Sequence, residues 1–152
     1  MTEKEVPIIF QRGRLHKTDA EILSDKVSEA LADLTDSYIK QVKQDIQLMY
    51  DILKKAETAS LPQKFTLIRE DFFIKMHDLK GQGATFGYPL LTDIGAVACN
   101  FLRNKKGFSG LDINTLKQYV DDVDYIIREN ITGDGGAYGE ALKKRLNEGE
   151  NA

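Results

Sequence analysis

SLPQKFTLIREDFFIKMHDLKGQGATFG, from Ser60 to Gly87, is the stretch on which the fold turns. Its large apolar side chains Phe65, Ile68, Phe72, Met76, Leu79 and Phe86 recur at the spacing of one face of an α-helix. Ser60 stands where a helix cap belongs, and Pro62 falls in the first turn, where a missing N–H costs little. Gly87 ends the pattern and Pro89 opens the next one. The spacing predicts a helix from Ser60 to about Thr85.

The same period extends in both directions. Upstream, Thr18 and Glu21 fit a capping box, and the apolar positions Ile22, Leu23, Val27, Ala30, Leu31 and Leu34 follow. Thr35, Asp36 and Ser37 break or bend this helix. A second run reaches about Glu57 through Ile39, Val42, Ile46, Met49 and Leu53, a bundle-facing seam with Lys40, Lys43, Asp45 and Lys54 off it. Downstream, Pro89 starts a helix whose inner face is Leu91, Ile94, Ala98 and Phe101 or Leu102, closed by Lys105, Lys106 and Gly107. Asp112 or Asn114 caps a further helix carrying Leu116, Tyr119, Val120, Val123, Ile126 and Ile127. Gly133 to Gly136 is a turn, and a short helix from Tyr138 to Leu146 follows. No stretch alternates as a strand does.

The expected fold is all-α. It is an up-down four-helix bundle with an extra N-terminal helix and a short C-terminal helix. The expected divisions are an N-terminal arm over 1–17, the helical bundle over 18–132, and a C-terminal helix and tail over 133–152.

The 152 residues carry 21 basic and 24 acidic side chains, a formal net charge of -3. So even a balance argues against nucleic acid or a membrane surface as the main partner. The length suits one domain with a core that needs no staples. Cys99 is the one cysteine, which rules out an internal disulfide and points to a reducing compartment. No apolar run reaches the roughly 18 residues of a membrane span. Met1 to Gln11 lacks the basic start, apolar centre and cleavage site of a signal peptide. A cytoplasmic location is expected. The two histidines, His16 and His77, exclude most histidine-based metal sites. No Gly-x-Ser-x-Gly turn supports a serine nucleophile.

Chemistry concentrates around His77. On a helix it falls away from the apolar stripe, with Phe73 and Ile74 one turn before it, Lys80 and Gly81 one turn after, and Ala84 a turn further. Gly81 and Gly83 each cost about 1 kcal/mol relative to alanine inside a helix, so each needs a reason. Gly81 leaves room beside the imidazole, whereas Gly83, nearer the stripe, permits tight helix packing. Imidazole exposed to water is largely neutral at pH 7 and is a competent nucleophile. Phosphoryl transfer needs in-line approach and neutralised oxygens more than covalent help. In that chemistry His77 is the acceptor and Lys80 supplies positive charge. Gly81 gives clearance to a partner, and Phe73, Ile74 and Ala84 form a docking surface.

His77-x-Leu79-Lys80-Gly81, followed by Ala84, Phe86 and Gly87, resembles the signature of histidine phosphotransfer (HPt) domains. The helical pattern from about Thr18 to Ile131 is similar to the HPt four-helix bundle. The resemblance implies a phosphorelay protein of two-component signalling. His77 would take a phosphoryl group on Nε2 from a receiver aspartate and pass it to another receiver. It implies a phosphocarrier without kinase activity, nucleotide or cofactor of its own, the Mg²⁺ residing in the receiver. The implied partners are response-regulator receiver domains, including one on a hybrid histidine kinase, with no nucleic acid and no membrane; a monomer is expected. The sequence departs from the family pattern twice. Gln82 stands where serine is common. Cys99 stands where the family often has a glutamine or glutamate that hydrogen-bonds the histidine's Nδ1.

Plainer readings exist for each residue. His77 can be an ordinary surface histidine, His16 a solvated loop residue, and Cys99 a small buried hydrophobe. Gly133 to Gly136 lacks the Gly-Lys-Ser/Thr ending of a phosphate loop. Phe73 and Ile74 can belong to the core. Two other functions compete with the carrier. One is an HPt-like scaffold or inhibitor that binds a kinase or receiver without being phosphorylated. The other is a dimeric phosphotransferase or kinase remnant, for which about 20 residues beyond Ile131 leave no ATP-binding domain.

Overall fold

A computed structural model describes residues 17–151. The expectations for Val6 to Phe10 and for His16 lie outside these residues. The chain divides into two compact units, Met1–Ser37 and Tyr38–Ala152. Every described element is helical, and no strand occurs among the described residues. No helix among them is long and apolar enough to cross a membrane.

Helix α1, Asp19–Thr58, begins in the first unit. Its capping box forms as expected: Thr18 Oγ1 accepts from the Glu21 N–H, and Glu21 Oε1 accepts from the Thr18 N–H, both at 3.0 Å. Thr35 does not break the helix. Its hydroxyl donates to the Leu31 carbonyl at 2.9 Å, so its polar group is satisfied within the helix. In the first unit Ile22, Leu23, Val27, Leu31 and Leu34 are all exposed.

The second unit holds the core. From α1 it takes Tyr38, Val42, Ile46, Met49, Leu53 and Ala56, spaced three or four residues apart. Next comes a helical run over 61–82 in three parts. These are α2 (Leu61–Phe65), a π-helical segment (Thr66–Phe72) and α3 (Phe73–Gln82). Ile68, Phe72, Met76 and Leu79 of this run are buried, which confirms the stripe read from sequence. Helices α4 (Pro89–Arg103), α5 (Gly110–Arg128) and α6 (Gly136–Asn151) complete the unit. Each fully buried Leu, Ile, Phe or Met contributes roughly 1.5–3 kcal/mol. Phe72, Met49, Ile68, Met76, Leu90 and Ile94 are among the largest.

Several boundaries move from their expected places. Helix α3 ends at Gln82, and Ala84–Phe86 is a 3₁₀ turn closed by Gly87 at φ 94°. The tight connection is held by the Tyr88 N–H on the Gly83 carbonyl and by Thr92 Oγ1, which accepts from the Ala84 N–H, both at 2.9 Å. Helix α5 is capped by Ser109 instead of Asp112 or Asn114. Asp112 is the reciprocal member of that box: its Oδ2 accepts from the Ser109 N–H at 2.9 Å, and its own N–H donates to Ser109 Oγ at 3.2 Å. The last helix is longer than expected, and its Leu142 and Leu146 are buried.

Polar groups fasten the helices to one another. Buried Asp45 of α1 pairs with Lys75 of α3 at 3.1 Å and accepts from Gln41 at 3.0 Å. Buried Asp122 of α5 takes both guanidinium nitrogens of Arg145 of α6 at 2.9 Å. Tyr50 of α1 donates to Asp121 of α5 at 2.5 Å.

Candidate functional site

The burial of Met76 and Leu79 fixes the rotation of α3. His77, between them in sequence, is thereby turned outward and is exposed. The Phe73 ring, one turn earlier, lies 5.9 Å from the imidazole, centroid to centroid, with the planes 26° apart. On Phe73, the Arg103 guanidinium carbon sits 5.5 Å from the ring centroid. A ring and a cation from α4 thus stand in succession beside the histidine. No side-chain hydrogen bond to His77 occurs among the described residues; the stack with Phe73 is the ring contact it makes there.

The other expected residues lie on α3 and, for Ala84, on the 3₁₀ turn that follows it. Lys80 is half-buried, while Gly81 and Ala84 are exposed. A Cβ at Gly81 would meet nothing among the described residues within 4 Å, so the space beside the histidine's next turn is open with respect to them. Ile74 is 54 % exposed, whereas Phe73 is half-buried. The docking surface expected from these residues therefore exposes Ile74 and Ala84 and shows only part of Phe73.

Gly83 packs as anticipated: a Cβ there would meet the Tyr88 carbonyl at 2.8 Å and Leu91 Cβ at 2.9 Å. Gly95 of α4, not singled out from sequence, is tighter still. Its Cβ would meet the Met76 carbonyl oxygen and the Lys80 nitrogen, each at 2.6 Å. Those two atoms bracket the turn that carries His77. The site turn is therefore seated directly on α4 at a glycine. A glycine in the middle of the helix Pro89–Arg103 was a signal for such an approach.

Behind the site, Cys99 is fully buried. Burial pushes its thiol above the ordinary range, with Arg103 and Lys80 pulling the other way. It makes no hydrogen bond to the imidazole. Arg69, from the π-helical segment, donates to the Lys105 carbonyl at 2.7 Å and lies over the Phe65 ring at 5.6 Å. Arg69, Phe73, Leu102 and Arg103 line a shallow depression of about 250 Å³. Sequence reading missed Arg69 and Arg103, because nothing in their spacing announces a ring or a carbonyl from another helix.

The arrangement offers an exposed imidazole with apolar and cationic neighbours and a clear approach along one side. No family model, no curated protein and no solved structure matches the chain.

Proposed function

We propose that the chain is a histidine phosphotransfer protein, in which His77 carries a phosphoryl group between receiver aspartates. On this reading, segment 38–58, run 61–82, α4 and α5 are the four helices of an up-down HPt-like bundle, and α6 is an added helix. The observation that carries the proposal is the exposure of His77 with open space at Gly81 one turn on. A receiver must bring its aspartyl phosphate into line with the imidazole, and a side chain at position 81 would stand in its way.

In the transfer, the imidazole Nε2 lone pair attacks phosphorus. The P–O bond to the receiver aspartate breaks and its carboxylate leaves. The reverse sequence delivers the group to a second receiver. Lys80 neutralises phosphoryl oxygens as charge builds in the transition state. The stack of His77 on Phe73 orients the ring where the family often uses an Nδ1 hydrogen bond. The ion that assists, Mg²⁺, belongs to the receiver. The protein is a carrier in the cytoplasm and not an enzyme with turnover of its own.

The test is incubation with phosphorylated receivers. Acid-labile, base-stable label should enter the chain and be lost with His77→Gln, and Lys80→Ala should slow its entry. Binding of receivers with no label entering the wild type would replace the carrier by the scaffold reading, for which Cys99 in place of a hydrogen-bonding residue is the favouring observation.

A further inference from the structure

The first unit carries an apolar face on which nothing among the described residues is packed. Ala20, Leu23, Val27, Ala30, Leu31 and Leu34 of α1 fall within a sector of about 100° on the helix. Leu23 is 64 % exposed, Val27 51 %, Leu31 59 % and Leu34 56 %. A contiguous stripe of this size marks an interaction surface more often than a solvated face.

The residues beside the stripe say what fits it. Ala20, Val27 and Leu34 recur every seven residues, and Leu23 and Ala30 recur at the same interval between them, so the seam has a heptad period. Lys26 and Asp33 flank one edge of the seam, also seven apart and opposite in sign, and both are exposed. Ser24 and Leu31 occupy the other edge and carry no charge. In a parallel pair of such helices, each charged edge would face an uncharged one. In an antiparallel pair, like edges face each other, and Lys26 of one copy meets Asp33 of the second, twice over by symmetry. The same register sets Leu23 against Leu34, and Val27 against Ala30, of the second copy. Apolar and charged matches thus agree on one alignment.

We propose that the occupant of this face is a second copy of the chain, docked antiparallel through the Asp19–Ser37 part of α1. The protein is then a two-fold symmetric dimer, where a monomer was the expectation from resemblance. The proposal does not depend on the chemistry of His77.

Sedimentation of the full-length protein over a hundredfold range of concentration should give a monomer–dimer equilibrium. Lys26→Glu and Asp33→Lys should each shift it to monomer, because each sets like charges opposite at two points. The double variant should restore the dimer. As a second readout, a mixture of Leu23→Cys and Leu34→Cys chains should cross-link under mild oxidation, while neither variant cross-links with itself. Cys99, fully buried, stays out of the reaction. A monomer at every concentration would overturn the proposal. So would removal of residues 1–16 producing a dimer that the full chain lacks, since Val6 to Phe10 would then be the occupant. Dimerisation unaffected by the single charge changes, or left unrestored by the double, would overturn the antiparallel register.

Discussion

Replacing Gly81 and Gly95 in turn by alanine separates two roles that glycine plays around one histidine. Both lie in helices, where alanine is favoured over glycine by about 1 kcal/mol. At Gly81 the added methyl meets nothing among the described residues within 4 Å, so nothing there offsets the gain. Gly81→Ala should therefore raise stability by about 0.4–1 kcal/mol, a rise in Tm of about 1–4 °C for a chain of this size. At Gly95 the methyl would lie 2.6 Å from the Lys80 nitrogen and the Met76 carbonyl oxygen. To regain ordinary contact at 3.4 Å, α4 must retreat from α3 by about 0.8 Å along that line. Overpacking of this kind costs about 1–3 kcal/mol, which offsets or exceeds the helix gain. Gly95→Ala should lower Tm by up to about 8 °C. Thermal unfolding followed by circular dichroism reads both changes. Transfer from a phosphorylated receiver supplies the second axis. Gly81→Ala, though more stable, should transfer about tenfold more slowly, the equivalent of about 1.4 kcal/mol at the docked transition state. A Gly81→Ala protein that gains stability and transfers at the wild-type rate would refute the clearance role. A Gly95→Ala protein that melts higher than wild type would refute the close crossing.

Three other outcomes follow from the packing. Among the described residues, Arg145→Met leaves buried Asp122 with Gln118 alone, at 3.4 Å, and should lower stability by about 1–3 kcal/mol, less than for a fully buried pair because Arg145 is itself partly solvated; an unchanged urea midpoint would contradict it. The Tyr38 hydroxyl is buried without a hydrogen-bond partner among the described residues, so Tyr38→Phe should gain about 1 kcal/mol while keeping the stack on Phe86 at 4.4 Å. Burial, then Asp45, Tyr88 and Asp78, pushes the Tyr38 hydroxyl up to about 12. Its neutral form is favoured by folding, so wild type should lose further ground to the Phe variant as pH rises from about 10 towards 12. For Asp112, burial pushes its carboxyl up, but the Ser109 N–H and Lys105 together outweigh that and hold it below its usual value. Its contribution should be complete above about pH 4 and fade as pH falls through the lowered value, so wild type and Asp112→Asn should converge in acid melts.

The helical class and the buried face of 61–82 were legible because period alone determines them. Ile68, Phe72, Met76 and Leu79 sit where their spacing puts them. His77 was legible for the same reason, being off that stripe. Gly83 was assigned to packing and Gly81 to open space from their angles on the helix, and the local geometry agrees. What sequence could not give was tertiary. The cation on Phe73 comes from Arg103, 30 residues away in the chain, and the seat beneath the site turn from Gly95. The Ser109 cap was missed because Gly110 and Leu111 hide the helix start, and apolar Leu111 is in fact exposed. The stripe from Leu23 to Leu34 looked like any core-facing seam; period reports that a face is apolar, not what covers it.

The π-helical segment Thr66–Phe72 has a consequence for how the chain can change. A π turn closes with one residue more than an α turn. Deleting a single residue there can therefore be absorbed by tightening the turn, leaving both flanks facing as before. Anywhere else in 61–82, the same deletion would rotate one flank by about 100° relative to the other. The segment is thus a slack link immediately upstream of Phe73, able to take up a change in length without turning His77 inward.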